Sequence, residues 1–130
     1  QNKTPAEMSY TLLIIDDDED IRLILTSVLA SVDGLTVYEA DCGATAQDHF
    51  QTQSIDGILL DYQLPDTSGE ELLKIFMKTS QPPKPDVVML SARDELELSQ
   101  RWIELGAKAV LTKPFNPFEL LAQLRVHFEF

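Results

Sequence analysis

The sequence predicts a doubly wound α/β fold, in which five parallel strands alternate with five helices that cover both faces of one sheet. Two observations carry this prediction: short apolar runs recur along the chain, and stretches with apolar residues at helical spacing separate them. The 130 residues suffice for one domain with its own core. Ligands of such sheets bind beyond the carboxyl ends of the strands, so we look for function there.

The strands are predicted from predominantly apolar runs, as is typical of parallel strands buried on both faces. These runs are Leu12–Ile15, Leu35–Tyr38, Ile55–Leu60, Val87–Leu90 and Ala109–Leu111. Residues 1–9 precede the first run and are polar, with no periodicity. We therefore expect a tail or linker over residues 1–9 and one folded domain over residues 10–130.

The first two helices are predicted over about Glu19–Val32 and Ala44–Thr52, of which the second has the weaker pattern. Gly34 stands where a helix C-terminal cap belongs. The residues that share one face of the first helix are Ile21, Ile24, Leu25, Val28 and Val32.

The third and fourth helices are predicted over about Gly69–Lys78 and Asp94–Leu105, and the proline-rich Gln81–Pro85 ends the third. The last helix should begin after Asn116, a favoured N-cap residue, with Pro117 at its first position. The apolar residues expected to face the core are Leu72, Leu73, Phe76, Leu98, Trp102, Leu105, Leu120, Leu121, Leu124 and Phe128.

Charge and cysteine content narrow the range of partners and compartments. The formal net charge of −12 would repel nucleic acid and anionic lipid, so we expect no direct binding to nucleic acid or membrane. No apolar run approaches the roughly 18 residues of a membrane span, and we find no signal-peptide pattern. Cys42 is the only cysteine, which favours a reducing compartment and hence the cytoplasm.

Polar residues able to do chemistry follow four of the five predicted strands. The first strand ends in the acidic run 16–20, and Asp61, Ser91 and Lys113 follow the third, fourth and fifth strands. In a parallel sheet these ends share one edge, so the fold gathers carboxylates, a hydroxyl and an ammonium into one crevice. Each residue alone has an ordinary explanation, because Asp and Ser form turns and acids favour the first turn of a helix. The four together indicate a site.

Such a crevice suits a divalent cation and phosphoryl chemistry. Carboxylates a few Å apart repel each other, and a hard cation such as Mg²⁺ relieves that repulsion through oxygen ligands. A carboxylate is also a nucleophile that can form an aspartyl phosphate. Phosphoryl transfer requires positioning and cations near the equatorial oxygens, for which Lys113 is a suitable charge and the Ser91 hydroxyl a suitable donor.

The chain resembles receiver domains of response regulators in two-component signalling. The resemblance rests on LLIIDDDEDIRLIL at 12–25, GILLDYQLPDTSGEELL at 57–73, VVMLSARD at 87–94 and GAKAVLTKPF at 106–115. It covers residues 10–128 and implies the flavodoxin-like strand order 2-1-3-4-5. It also implies Mg²⁺-dependent transfer, with Mn²⁺ as a substitute, from a phosphohistidine on a histidine kinase or phosphotransfer protein. Slow self-catalysed hydrolysis follows.

The resemblance also implies a role for each matching residue. Asp61 corresponds to the phosphoacceptor, Asp17 to a direct metal ligand and Asp16 to an acid that acts mainly through metal-bound water. The backbone carbonyl of Gln63 would complete the metal ligands, and the Gln63 side chain occupies a position linked to the dephosphorylation rate. Ser91 and Lys113 correspond to the hydroxyl and the lysine that contact the phosphoryl group. The Lys113–Pro114 peptide is expected to be cis.

One position departs from the family pattern. Val110 stands where an aromatic residue often swings with the Ser/Thr, so we expect the signal to pass through the Ser91–Glu95 loop to a partner, effector domain or second copy at helix 4, strand 5 and helix 5. The sequence is also compatible with two other functions. One is an aspartate-nucleophile phosphatase of the haloacid dehalogenase type, favoured by Asp16 and Asp18 but not by Asp20, where Thr is expected. The other is a degenerate module that binds partners constitutively.

Overall fold

The computed structural model describes residues 9–79 and 81–130, and within them five strands alternate with five α-helices. The strands are β1 (Tyr10–Ile15), β2 (Leu35–Ala40), β3 (Gly57–Asp61), β4 (Asp86–Ser91) and β5 (Ala109–Thr112). The helices are α1 (Glu19–Leu29), α2 (Gly43–Thr52), α3 (Gly69–Thr79), α4 (Ser99–Glu104) and α5 (Pro117–His127), with a 3₁₀ helix at Arg93–Leu98 before α4.

All five strands are parallel and lie in the order β2-β1-β3-β4-β5. This confirms both the fold class and the strand order. The chain first moves outward from β1 to β2 and then returns to place β3 on the other side of β1. The strand order therefore reverses between β1 and β3, the position at which open α/β sheets bind ligands.

The strand register aligns the predicted functional residues at one edge of the sheet. Ile15 pairs with Leu60, so the residues that follow them, Asp16 and Asp61, lie side by side where β1 and β3 end. Ser91 pairs with Thr112, which brings the start of the Lys113 loop to the same edge.

The core consists of two layers, one on each face of the sheet. Helices α2, α3 and α4 cover one face, and their buried residues include Leu72, Phe76 and Trp102. Helices α1 and α5 cover the other face with Leu25, Leu29, Leu120, Leu124 and Phe128. All five residues of β3 are buried, as the apolar residues Ile58–Leu60 predict for a central parallel strand.

Most boundaries agree with the prediction to within two residues, and helix ends account for the differences. The N-cap of α5 is Asn116, whose side chain accepts a hydrogen bond from the backbone N–H of Phe118, and Pro117 occupies the first turn. Helix α1 ends at Leu29 rather than Val32, although Val32 is still buried. Gly34 adopts a positive φ of 77° in the turn before β2.

The predicted fourth helix, Asp94–Leu105, is only partly correct. Its first half is the 3₁₀ helix, and only Ser99–Glu104 is α-helical. The stripe of Leu98, Trp102 and Leu105 begins at the last residue of the 3₁₀ helix and continues through α4 to its C-cap. It therefore carries no information about the conformation of the residues before Leu98.

Of the predicted tail at residues 1–9, residues 1–8 lie outside the part of the chain that the structure describes. Among the described residues, none of the helices has both the length and the apolar character needed to cross a bilayer.

Candidate functional site

Three carboxylates meet at the edge of the sheet between β1 and β3. One oxygen from each of Asp16, Asp17 and Asp61 lies within 4.8 Å of the others. Asp16 is fully buried and Asp61 is 7% exposed, whereas Asp17 faces solvent. The gathering of acids that the strand ends predict is therefore present.

Lys113 lies against the two buried carboxylates. Its Nζ is 2.7 Å from Asp16 Oδ2 and 3.1 Å from Asp61 Oδ1. The loop that presents it begins with a cis Lys113–Pro114 peptide, as the resemblance implied. Burial alone would lower the pKa of the Lys113 ammonium, but the negative charges of Asp16 and Asp61 and the hydrogen bond to Asp61 outweigh it and raise that pKa.

The Asp61 carboxyl is harder to ionise than an ordinary aspartate. Burial raises its pKa to about 6, the charge of Asp16 adds to this effect, and the Lys113 ammonium opposes it. Asp61 thus lies in the poorly solvated environment in which a carboxylate benefits most from a second cation.

The Asp16 side chain is held by the backbone that follows it. Its Oδ1 accepts a hydrogen bond from the backbone N–H of Asp18 at 2.9 Å. Asp18 in turn is the N-cap of α1, and its carboxylate accepts from the backbone N–H of Asp20. Asp18, Glu19 and Asp20 therefore serve the helix start. The other oxygen of Asp16, Oδ2, is buried and contacts the Lys113 ammonium without the angle of a directed hydrogen bond.

These groups fit a small hard cation. Mg²⁺ takes oxygen ligands and usually binds one or two carboxylates with waters and phosphate oxygens, and Oδ2 of Asp16 is a buried acceptor without a directed donor. The cleft above them is open and has a volume of about 320 Å³. It is lined by Asp16, Asp17, Asp18, Asp61, Gln63, Leu64, Pro65, Ala92, Glu95 and Lys113.

Ser91 occupies the end of β4 as predicted, but its hydroxyl has a local partner. The side chain is fully buried, and Oγ donates to the backbone carbonyl of Ala92 at 2.8 Å. The structure thus brings together the acids and the lysine, with Ser91 at the same sheet edge but bonded to its own loop. Val110 lies on β5 and packs against the core layer that contains Trp102.

Two residues of the site region were not anticipated from the sequence. Glu95 lines the cleft, and its carboxylate accepts from the backbone N–H of Ala92. Asp66 reaches from the β3–α3 loop to α2, where it accepts from the backbone N–H groups of Gly43 and Ala44. Local sequence carries no signal for the Asp66 contact, because its partners lie more than 20 residues away.

Fold and site together define the class of this protein: a doubly wound α/β module with an acidic, lysine-bearing cleft at the point where the strand order reverses. Comparison with known families assigns it more narrowly. Residues 12–125 match the model of the response regulator receiver domain. The chain belongs to that family, and it is a signalling phosphoacceptor module rather than a conventional enzyme.

Individual relatives agree with this assignment. The chain is 36% identical over 118 residues to the phosphate regulon transcriptional regulatory protein PhoB of Escherichia coli, covering 91% of this chain and 51% of the relative. It is 38% identical over 114 residues to the transcriptional regulatory protein CpxR of the same species, covering 88% and 47%. It therefore spans about half the length of these curated relatives.

Among solved structures, the chemotaxis response regulator CheY4 of Vibrio cholerae superimposes with a TM-score of 0.83 at 30% identity. The match covers 92% of this chain and 99% of that one. The same fold therefore occurs in a relative of nearly the same length as well as in the longer ones.

Proposed function

We propose that Asp61 accepts a phosphoryl group from a phosphohistidine on a histidine kinase or phosphotransfer protein. One observation carries this assignment: Lys113 already contacts Asp61 and Asp16, and Asp17 completes the acidic cluster. A nucleophile, a fixed cation and metal ligands thus share one cleft. These are the groups that phosphoryl transfer requires, because the reaction depends on positioning and charge stabilisation.

Phosphoryl transfer from phosphohistidine to Asp61 exchanges one N–P bond for one O–P bond. A carboxylate oxygen of Asp61 attacks phosphorus and the N–P bond of phosphohistidine breaks. The imidazole nitrogen keeps the electron pair and takes a proton from solvent. Burial raises the pKa of Asp61, and the Lys113 ammonium opposes this and favours the ionised carboxylate that attacks phosphorus. Hydrolysis reverses the modification, as a water oxygen attacks phosphorus, the O–P bond breaks and phosphate leaves.

The residues that would hold the metal are Asp16, Asp17, Asp61 and the backbone carbonyl of Gln63. Mg²⁺, or Mn²⁺ in its place, supplies positive charge that offsets the phosphoryl oxygens when it is bound. Lys113 supplies the chain's own cation. Its ammonium already lies 3.1 Å from Asp61 Oδ1, so a short movement takes it to an oxygen of the phosphoryl group. Asp16 stays buried and orients the lysine.

The Ser91 hydroxyl would couple phosphorylation of Asp61 to a conformational change in the rest of the domain. We infer that it leaves the carbonyl of Ala92 and donates to a phosphoryl oxygen, which changes the Ser91–Glu95 loop and the 3₁₀ helix after it. Contacts that differ between two loop arrangements are sufficient to shift a population. The affected surface is formed by α4, β5 and α5, where an effector domain, a partner or a second copy would bind.

The relatives and the composition indicate which other domains, partners and compartment accompany this domain. Because the curated relatives are about twice as long, the output of a whole protein would lie in an attached effector domain rather than in these residues. The net charge of −12 argues against direct nucleic-acid or membrane binding by this domain. A single cysteine is in keeping with the reducing cytoplasm.

Intact-mass measurement after incubation with acetyl phosphate and Mg²⁺ tests the proposal. We expect one phosphoryl adduct per chain, absent from Asp61→Asn and present in the charge-matched control Asp48→Asn. Asp48 is an exposed residue of α2. Sustained turnover of the donor without a stoichiometric adduct would instead indicate a phosphatase. No reaction in the wild type would indicate a degenerate module, and an adduct retained by Asp61→Asn would move the acceptor elsewhere.

A further inference from the structure

Helix α2 begins without a cap of its own. Its N-cap residue is Cys42, whose side chain makes no capping hydrogen bond and instead contacts the Thr45 hydroxyl. Asp66 supplies the cap from a different part of the chain, accepting from the backbone N–H of Gly43 at 2.7 Å and of Ala44 at 3.0 Å. These N–H groups have no partner within the helix, and the positive end of the helix dipole favours a carboxylate.

The loop that carries Asp66 is the loop that forms one wall of the metal cleft. Gln63, Leu64 and Pro65 line the cleft, and Asp66 follows them directly. The loop is closed on itself by a hydrogen bond from the N–H of Leu64 to the carbonyl of Thr67 at 3.2 Å. Gln63 pairs with Ser68 across this loop, so only two residues, Leu64 and Pro65, separate the Gln63 backbone from Asp66.

The base of the loop is equally constrained. The N–H of Gly69 donates to the carbonyl of Tyr62 at 2.6 Å, and a Cβ at Gly69 would lie 2.1 Å from the backbone oxygen of Asp61. The base is therefore set by the strand that carries Asp61. The tip is set by the Asp66 contact with α2.

The helix side of this contact is also fitted closely. A Cβ at Gly43 would lie 2.5 Å from Cγ2 of Thr67 and 3.2 Å from Oδ1 of Asp66. A side chain at position 43 would therefore have to displace the Thr67 methyl group and would crowd the Asp66 carboxylate. The contact can thus be removed by deleting the carboxylate and disturbed by adding a methyl group at position 43.

We propose that Asp66 is a positioning residue for the metal site. By tying the β3–α3 loop to α2, it holds the Gln63 backbone carbonyl at the orientation in which it completes the ligand set. This inference rests on the proposed function, since it takes that carbonyl as a ligand. Groups that orient metal ligands affect affinity without touching the ion.

The experiment titrates the metal-free domain with Mn²⁺ and follows free Mn²⁺ by electron paramagnetic resonance. It is done well below the melting temperature of every variant. We expect Asp66→Ala to weaken binding about tenfold, in the range typical for such outer residues. Gly43→Ala should weaken binding in the same direction although it keeps every carboxylate. Asp66→Asn carries the same charge as Asp66→Ala but keeps one acceptor oxygen, so its affinity should be intermediate.

Two controls separate positioning from other effects. Asp48→Ala removes one exposed carboxylate from α2 and should bind almost as the wild type does. If Asp66→Ala and Gly43→Ala both match Asp48→Ala, the positioning role is wrong, however far their melting temperatures fall. If Asp66→Asn binds as weakly as Asp66→Ala, the effect reflects lost charge, and the positioning role is also wrong.

A wrong assignment of the metal site itself would give a different pattern of Mn²⁺ affinities. Asp17→Ala removes a ligand and should abolish most binding. If the wild type binds no Mn²⁺, or if Asp17→Ala binds as the wild type does, the metal site itself is misassigned and the inference falls with it. If instead only the loop variants behave as wild type, the metal site stands and Asp66 has no part in it.

Discussion

The ammonium of Lys113 lies 2.7 Å from the buried Oδ2 of Asp16, although the two residues come from loops after β5 and β1. The lysine also contacts Asp61, so one fixed cation serves two carboxylates. It relieves the same repulsion that a bound divalent ion would relieve. The stability of the metal-free domain should therefore depend on this lysine more than on any exposed ion pair.

Lys113→Met tests this dependence. We expect the free energy of unfolding at neutral pH without metal to fall by about 1–3 kcal/mol, less than for a fully enclosed pair because the cleft is open. Saturating Mg²⁺ should narrow the difference, since the metal takes over charge compensation. The measurement is urea denaturation with and without Mg²⁺. Lys108→Met removes an exposed pair with Asp86 and an exposed hydrogen bond to the His127 carbonyl, and should change stability by less than about 1 kcal/mol. Equal losses in the two variants would refute the argument.

Asp61→Asn should raise the melting temperature of the metal-free domain by a few degrees. The substitution keeps the shape but removes a carboxylate whose ionisation is opposed by burial and by Asp16. Differential scanning fluorimetry in the presence of a chelator measures the shift. The gain should vanish in saturating Mg²⁺, because the wild type alone then gains from the ligand. A lower melting temperature for the variant under chelator would show that the Lys113 contact outweighs the repulsion.

Asp66→Asn should lose stability in a pH-dependent way. Hydrogen bonds from the backbone N–H groups of Gly43 and Ala44 lower the pKa of the Asp66 carboxyl. A group with a lowered folded-state pKa contributes stability that is present above its unfolded pKa, about 4, and is lost as the pH falls through the folded value. The difference in unfolding free energy between wild type and variant should thus be constant above about pH 4 and shrink below it. A difference that does not change with pH would contradict this assignment, and Asp48→Asn provides the baseline.

Signalling should depend on Ser91 more than on Val110. The hydroxyl of Ser91 can exchange the Ala92 carbonyl for a phosphoryl oxygen, whereas Val110 is short and β-branched, with few rotamers to exchange. Ser91→Ala should therefore reduce the phosphorylation-dependent gain in partner affinity or self-association, and Val110→Ala should leave most of it. Each variant is compared before and after phosphorylation, with the extent of modification confirmed by intact mass. If Val110→Ala uncouples the response and Ser91→Ala does not, the route through the Ser91–Glu95 loop is wrong.

Much of the fold was readable from local patterns. Buried parallel strands are uniformly apolar, and the N-cap at Asn116 followed by Pro117 marks the start of α5 within one residue. The type and the start of the fourth helix were predicted less accurately. Its apolar stripe begins only at Leu98, so the pattern did not define the conformation of the preceding residues, which form the 3₁₀ helix Arg93–Leu98.

The sequence by itself determined that carboxylates, a hydroxyl and a lysine would reach one edge of a parallel sheet, because strand ends and residue types are local properties. Only the tertiary structure decided which of these groups touch. Lys113 meets Asp61 across 52 residues, and Asp66 caps α2 across 23. Such contacts depend on strand order, register and loop packing. These bring together segments that are distant in sequence, and neither segment's local sequence indicates which other segment it will contact.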